Sequence, residues 1–367
     1  MRNPPRLSRA RFRSVALVLL AAGLVLSSAP SQNPIAAPPY LYLGDYPQDR
    51  ENGWSDKLQG VAHDHRHWFF TQKGRLWRFP DSLDLRESIE RPDPARGILR
   101  VGIPRELSAK GYDHFGDLDH HRGLLLVPLE GARPPVIAVF RAHDLGFVGP
   151  IALPRQRNAG WNAVDPGSGW VYSSESEVGA GKGAVLAYAL PWDQVLTGNV
   201  PRDLVPVRQL HLGDESGALL RLTHMQGGVF ADGELVTVNG HCSGSTANTG
   251  IMIFDPASGR RRASSSNGSG DFNFEFHPGP WCRGEEPEGI DLWDLDGGRA
   301  PGIGGQLHVI LLDNGLDDDD FYFKHYRSRV SRPRDPGARD RDHDDPSRCP
   351  GAGRDRVESR CGRVNTR

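Results

Sequence analysis

Between Gln32 and Arg327 the apolar positions fall in runs of four to seven residues, rich in Val, Leu, Ile and aromatic residues and bounded by Gly, Pro, Asp and Asn. No segment shows the 3.6-residue periodicity of an amphipathic helix, so the pattern predicts short strands joined by turns. One unit recurs. A glycine opens it, a strand and a polar turn follow, and a second apolar strand closes it. The instances are 58–80, 114–145, 160–190, 224–259 and 287–315, and four of them close on runs such as "RLWRF", "VIAVF", "VLAYAL" and "IMIFD". The opening glycines stand at 60, 116, 160, 227 and 289, so the units are spaced 56, 44, 67 and 62 residues apart. Repeats of about 40–50 residues are those of β-propeller blades, and the wider gaps leave room for a fourth strand and insertions.

The two ends lack this pattern. Arg2, Arg6, Arg9, Arg11 and Arg13 precede an uncharged apolar run from Val15 to Leu26, followed by small residues. Twelve apolar residues are too few to span a bilayer, so residues 1–31 read as a secretory signal peptide. Cleavage after Ala29 would leave Pro30 behind the cut, whereas cleavage after Ser31 would not. An uncleaved anchor is the alternative. Without an Arg-Arg pair, the general secretory route is expected, and a secreted, extracellular or cell-envelope location follows. At the other end, residues 328–367 hold eleven arginines and no Lys, Leu, Ile, Met or aromatic residue. Such a segment cannot bury enough apolar surface to offset its ordering entropy, so a disordered tail is expected. It is either natural or the product of a reading-frame shift. The expected organisation is therefore signal peptide 1–31, β-propeller 32–327 and tail 328–367.

The unit "HMQGGVFADGELVTV…GIMIFDPASGRR" carries the clearest likeness to a known group. Over roughly 40–327 the chain resembles six-bladed β-propellers of the group that includes NHL-repeat proteins, gluconolactonase- and paraoxonase-like enzymes and strictosidine-synthase-like proteins. It is also similar to exported actinobacterial proteins. Six blades require one degenerate unit or one built from both ends. A five-bladed propeller and a β-sandwich are the alternatives. "YLYLGDY" (40–46) is the expected closing strand, paired near "FYFKHY" (321–326).

In a propeller the opening residues of each unit ring the ligand side of the axis. That places Gln59, His114, Asp117, Asn162, His224, Gln226 and Glu288 at one mouth. The set is rich in oxygen donors, which suit a hard cation such as calcium. The resemblance implies Glu288, Asn162 and Asp117 as metal ligands, although Gln59 and Gln226 depart from the expected Asn or Asp. His224 and His114 are the candidate general bases of a calcium-dependent lactonase or esterase. The competing expectation is a binding or protein-interaction module without chemistry, in which these side chains cap strand ends. Core packing accounts for most of the tryptophans, and for Trp161 and Trp281, which flank unit openings, stacking on a sugar or other flat ligand is the alternative. His63, His65 and His67 read as a solvated turn. "DNGLDDDD" (313–320) lacks the closing Glu of a calcium loop, and no nucleophile elbow or phosphate loop is present. Cys242 and Cys282 are a plausible disulfide in an exported chain, with two free thiols as the alternative.

Charge sharpens the picture. The whole chain has 44 basic and 46 acidic residues, a net charge of -2. The first segment holds five arginines and the tail eleven against seven acids, which leaves the body at -11, with 28 basic and 39 acidic residues. An acidic fold disfavours nucleic acid and suits a cation or a neutral-to-basic ligand. A monomer with a small ligand or an extracellular protein partner is expected.

Overall fold

The structure, a computed structural model, describes residues 39–48, 53–242, 248–265, 272–276, 284–314 and 319–329. The proposed signal peptide and all but the first two residues of the proposed tail lie outside them, as does Cys282.

Five antiparallel sheets, each built outward from the axis, make the propeller. Blade 1 comprises Leu58–His63, His67–Gln72, Arg75–Pro80 and Leu99–Gly102. Blade 2 has an inner strand broken into His114–Phe115 and Asp119–His121, then Leu124–Glu130, Val136–Arg141 and Phe147–Ala152. Blade 3 comprises Ala163–Val164, Trp170–Ser173, Val185–Ala189 and Arg208–Leu210. Blade 4 is Met225–Ala231, Glu234–Asn239, Gly250–Phe254 and Arg261–Ser264. Blade 5 runs Glu285–Leu292, Leu307–Asn314 and Asp319–Ser328, and its outer place is filled by the N-terminal strand Tyr40–Gln48.

The five repeats read from the sequence are thus the five blades, and the five-bladed alternative holds in place of the preferred six. The N-terminal strand closes the last repeat instead of completing a further one: Tyr42 lies opposite Tyr326 and Gly44 opposite His325. The last strand reaches Ser328, one residue past the expected boundary of the tail. Part of the extra length between the opening glycines of blades 3 and 4 goes into the short helix Trp192–Leu196, set between the third and fourth strands of blade 3, and a ribbon pairing Val178–Gly179 with Arg221–Leu222. No helix among the described residues is long and apolar enough to cross a membrane.

The middle strands are buried on both faces, which is why their sequences are continuous apolar runs and not alternations, whereas outer strands such as Leu99–Gly102 and Arg261–Ser264 are partly exposed. In blade 1, Trp68 and Phe70 point toward blade 5, where they meet Trp293 and Phe323, while Phe69 points toward Phe115 and Leu125 of blade 2. The same two-sided arrangement gives one apolar cluster at each of the other interfaces, between blades 2 and 3, 3 and 4, and 4 and 5. Successive side chains of a strand point to opposite faces, so one run supplies two cores. The closure of blade 5 adds a buried ion pair, with Lys324 Nζ 3.3 Å from Asp45 Oδ1. Burial opposes the lysine charge and Asp45 supports it. Such a pair stabilises little by itself but penalises any arrangement that separates the two strands.

Candidate ligand-binding site

The inner strands converge because of glycine. A Cβ on Gly60 would lie 2.5 Å from the Asp117 Cα, one on Gly289 would lie 2.6 Å from the Gly60 Cα, and one on Gly228 would lie 2.4 Å from the Trp161 ring. Only a residue without a side chain permits these approaches. At this level the axis is occupied by the fully buried Asp117. Its Oδ1 accepts the Val61 N–H of blade 1 at 3.0 Å, and its Oδ2 accepts the Gly228 N–H of blade 4 at 3.2 Å and the Ile290 N–H of blade 5 at 3.4 Å. Its own N–H donates to the Gly160 carbonyl, and its carbonyl accepts from Asn162 N–H, which brings in blade 3. One aspartate of blade 2 therefore fastens the other four blades. Burial pushes its carboxyl well above the ordinary carboxylate range, and the three N–H donors oppose that shift.

On one side of this waist lies a cavity of about 340 Å³, to which every blade contributes. Blade 1 supplies Gln59 with the flanking Lys57 and Lys73, blade 2 supplies His114 and Glu130, and blade 3 supplies the Gly160 backbone. Gln226 comes from blade 4, and Glu286 and Glu288 come from blade 5. Lys57 and Lys73 are exposed, whereas Gln59 and Glu288 are buried. The Gln59 carboxamide oxygen meets His114 Nε2 at 2.5 Å, and its Nε2 donates to the Leu58 carbonyl at 3.0 Å. Gln226 Nε2 donates to Glu286 Oε2 at 3.1 Å. Burial, with Glu286 and Glu130 nearby, pushes Glu288 well above its usual range, so its neutral form is favoured. Burial likewise raises Glu130 and lowers His114. The cavity thus presents three carboxyl groups, of which Glu130 and Glu288 are pushed toward the neutral form, two amides and a neutral-leaning imidazole.

The expected mouth residues fall into two groups. Gln59, His114, Gln226 and Glu288 line the cavity, while His224 stands beside it, with Nε2 4.0 Å from Glu286 Oε1 and its ring 5.3 Å from that of His241. Asp117 and Asn162 lie elsewhere. Asp117 has both carboxylate oxygens engaged by backbone N–H groups. Asn162 is buried between blades, where its Nδ2 donates to the Leu126 carbonyl at 2.8 Å and its Oδ1 has no hydrogen-bond partner. Of the three expected calcium ligands, Glu288 alone lines the cavity. Among the described residues no group of three or more His, Cys, Asp or Glu side chains is placed to hold a metal ion.

Packing decides between the readings of Trp161 and corrects that of His63. Trp161 is fully buried, with its indole N–H donating to Ser174 at 2.9 Å, so it presents no face to a ligand. His63 is not a solvated turn residue: its Nδ1 lies 2.8 Å from Asp291, and its ring stacks on Trp293 at 4.6 Å. That pair sits at the opposite end of the inner strands from the cavity, near the half-buried Asp119.

Lys57, Lys73, Glu130 and Glu286 were missed by reasoning from sequence alone. Glu286 was accessible to it, since a residue two places before Glu288 on a strand shares its side. Lys73 and Glu130 come from a hairpin turn and a second strand, and nothing in the local sequence marks them.

No family model matches the chain, and no curated protein matches it. Among solved structures it is similar to a glutaminyl cyclase of Myxococcus xanthus (12% identity, 79% of this chain and 97% of that one, TM-score 0.38). It is also similar to the PQQ-bound aldose sugar dehydrogenase of Streptomyces coelicolor (10%, 79% and 100%, TM-score 0.36). A third is the arabinanase of Bacillus subtilis (12%, 78% and 96%, TM-score 0.39). The propeller assignment itself rests on the strand pairing, and no activity is transferred from these proteins.

Proposed function

We propose that the chain is a ligand-binding propeller whose mouth cavity takes a small, polar, neutral-to-basic molecule. The observation that supports this reading is the convergence of Gln59, His114, Glu130, Gln226, Glu286 and Glu288 on one cavity built by all five blades. A concave site with a few convergent polar groups and shifted protonation is the usual form of a binding site. Acceptor groups dominate the interior, so a ligand rich in N–H or O–H donors complements it. The acidic body adds a long-range attraction for cations.

Calorimetry and melting curves with ethanolamine, erythritol and calcium chloride test the reading. Ethanolamine or erythritol should bind, and Glu288→Gln should weaken binding about tenfold, the equivalent of ~1.4 kcal/mol. Absence of binding by both, with the fold intact, would remove the proposal. The calcium-dependent lactonase or esterase is the competing reading, with Glu288 and Asn162 as ligands and His114 or His224 as base. It requires a calcium-dependent rise in melting temperature that Glu288→Gln abolishes. Export through residues 1–31 and a Cys242–Cys282 disulfide are proposals from the sequence. The Cys242 N–H donates to the Glu285 carbonyl, three residues beyond Cys282, which favours the pairing. Mass spectrometry of the secreted, unreduced protein tests both.

A further inference from the structure

Blade 5 contains two histidines whose hydrogen bonds cannot all be made by neutral rings. His308 and His325 are directly opposed on the neighbouring strands Leu307–Asn314 and Asp319–Ser328, and both are buried. His308 Nε2 lies 2.8 Å from the Trp293 carbonyl, His325 Nε2 lies 2.7 Å from the Tyr46 carbonyl, and the two Nδ1 atoms are 2.8 Å apart. A carbonyl oxygen only accepts, so each Nε2 must carry a proton. The contact between the Nδ1 atoms needs one more. Three protons on two imidazoles make one imidazolium and one imidazole. With only two protons, either two lone pairs face each other or a ring nitrogen lone pair faces a carbonyl.

We infer that His308 and His325 share a single proton between their Nδ1 atoms and form a cationic tie across blade 5, from its inner strand to the N-terminal strand that closes the propeller. The chain of contacts runs from Trp293, directly after the inner strand, through both rings to Tyr46, and so links the end of the inner strand to the other three strands of the blade. The groups around it are the rings of Trp68 and Phe323, with His63 from blade 1, Asp296 from the turn after the inner strand, and Asp45 from the N-terminal strand. Lys324, the neighbour of His325, is engaged by Asp45. Burial drives each ring toward neutrality, and repulsion between two imidazoliums adds to this for a second proton. The first proton meets no such repulsion and completes the hydrogen-bond chain.

For the sign, a proton held more tightly in the folded chain than in an unfolded histidine stabilises the fold at low pH and is lost as pH rises. The test is His325→Gln in the full chain. Glutamine can donate to His308 Nδ1 and leaves that ring satisfied while neutral, so protonation then only opposes folding. Melting curves and denaturant titrations at pH about 7 and about 5 should show the gap between wild type and variant widening on acidification. Holding the proton one pKa unit more tightly corresponds to about tenfold in the unfolding equilibrium. His63, Asp296 and Asp45 are present in both proteins, so the difference isolates the pair. Should the variant fail to fold, ¹⁵N-edited spectra of the wild type decide. Both Nδ1 resonances should shift together on uptake of one proton. A gap that narrows on acidification, or Nδ1 atoms that stay unprotonated or titrate separately in the folded chain, would overturn the inference.

Discussion

Asp117→Ala tests the account of how five blades are held at their axis. The substitution removes the acceptor of three buried N–H groups, those of Val61, Gly228 and Ile290. A buried donor left without a partner costs about 1–3 kcal/mol, so the three together amount to ~3–9 kcal/mol. Against this stands the relief of an unfavourably buried carboxylate, whose raised proton affinity shows that burial is costly. Setting about 1–4 kcal/mol against the loss, midpoint against midpoint, leaves a net destabilisation of roughly 3–4 kcal/mol, a large share of the ~5–15 kcal/mol of a typical domain. Equilibrium denaturation in urea at pH about 7, followed by tryptophan fluorescence, reads this as a lower midpoint at similar slope. Asp117→Asn keeps the volume and one acceptor oxygen but sets an NH₂ group against the remaining donors, so an intermediate loss is expected. If Asp117→Ala stays within about 0.5 kcal/mol of wild type, the aspartate does not fasten the blades and the reasoning fails.

Gly289→Ala places a Cβ 2.6 Å from the Gly60 Cα, where only backbone could yield, whereas Gly297→Ala meets nothing within 4 Å. The first should cost about 2 kcal/mol or more and the second less than ~0.5 kcal/mol, read as shifts in denaturation midpoint. Asp119, pushed up to about 7 by burial and by the charge of Asp291, binds its proton more tightly folded than unfolded. Its contribution is full below pH about 4 and is lost as pH rises toward about 7, at most about 4 kcal/mol over that range. Asp119→Asn should flatten the pH dependence of stability in that window. An unchanged profile would show that this carboxyl is not the source.

The repeat was legible in the sequence because each blade uses the same local devices: a glycine where strands meet at the axis, apolar runs buried on both faces, and polar turns between them. The closing strand was legible too, since "YLYLGDY" is a strand signal without a blade of its own. Six blades were preferred because of the resemblance to six-bladed propellers, while the spacings of 67 and 62 residues left room for a fourth strand and insertions. Part of that length went into a helix and a two-residue ribbon, elements that no fixed period anticipates.

The site divides along the same line. Positions next to the opening glycines were assigned to one mouth, and Gln59, His114, Gln226 and Glu288 line it. Asp117 carries the same local signature and yet points across the axis, where three N–H groups compete for its carboxylate. Lys73 and Glu130 reach the cavity from a turn and a second strand. By itself the sequence determined which residues form strands and where blades begin, because burial and turn chemistry act over a few neighbours. Only the tertiary structure decided which polar side chains face an open cavity and which are used up in holding the blades together. A side chain's freedom to bind depends on the donors and charges that distant strands bring to it.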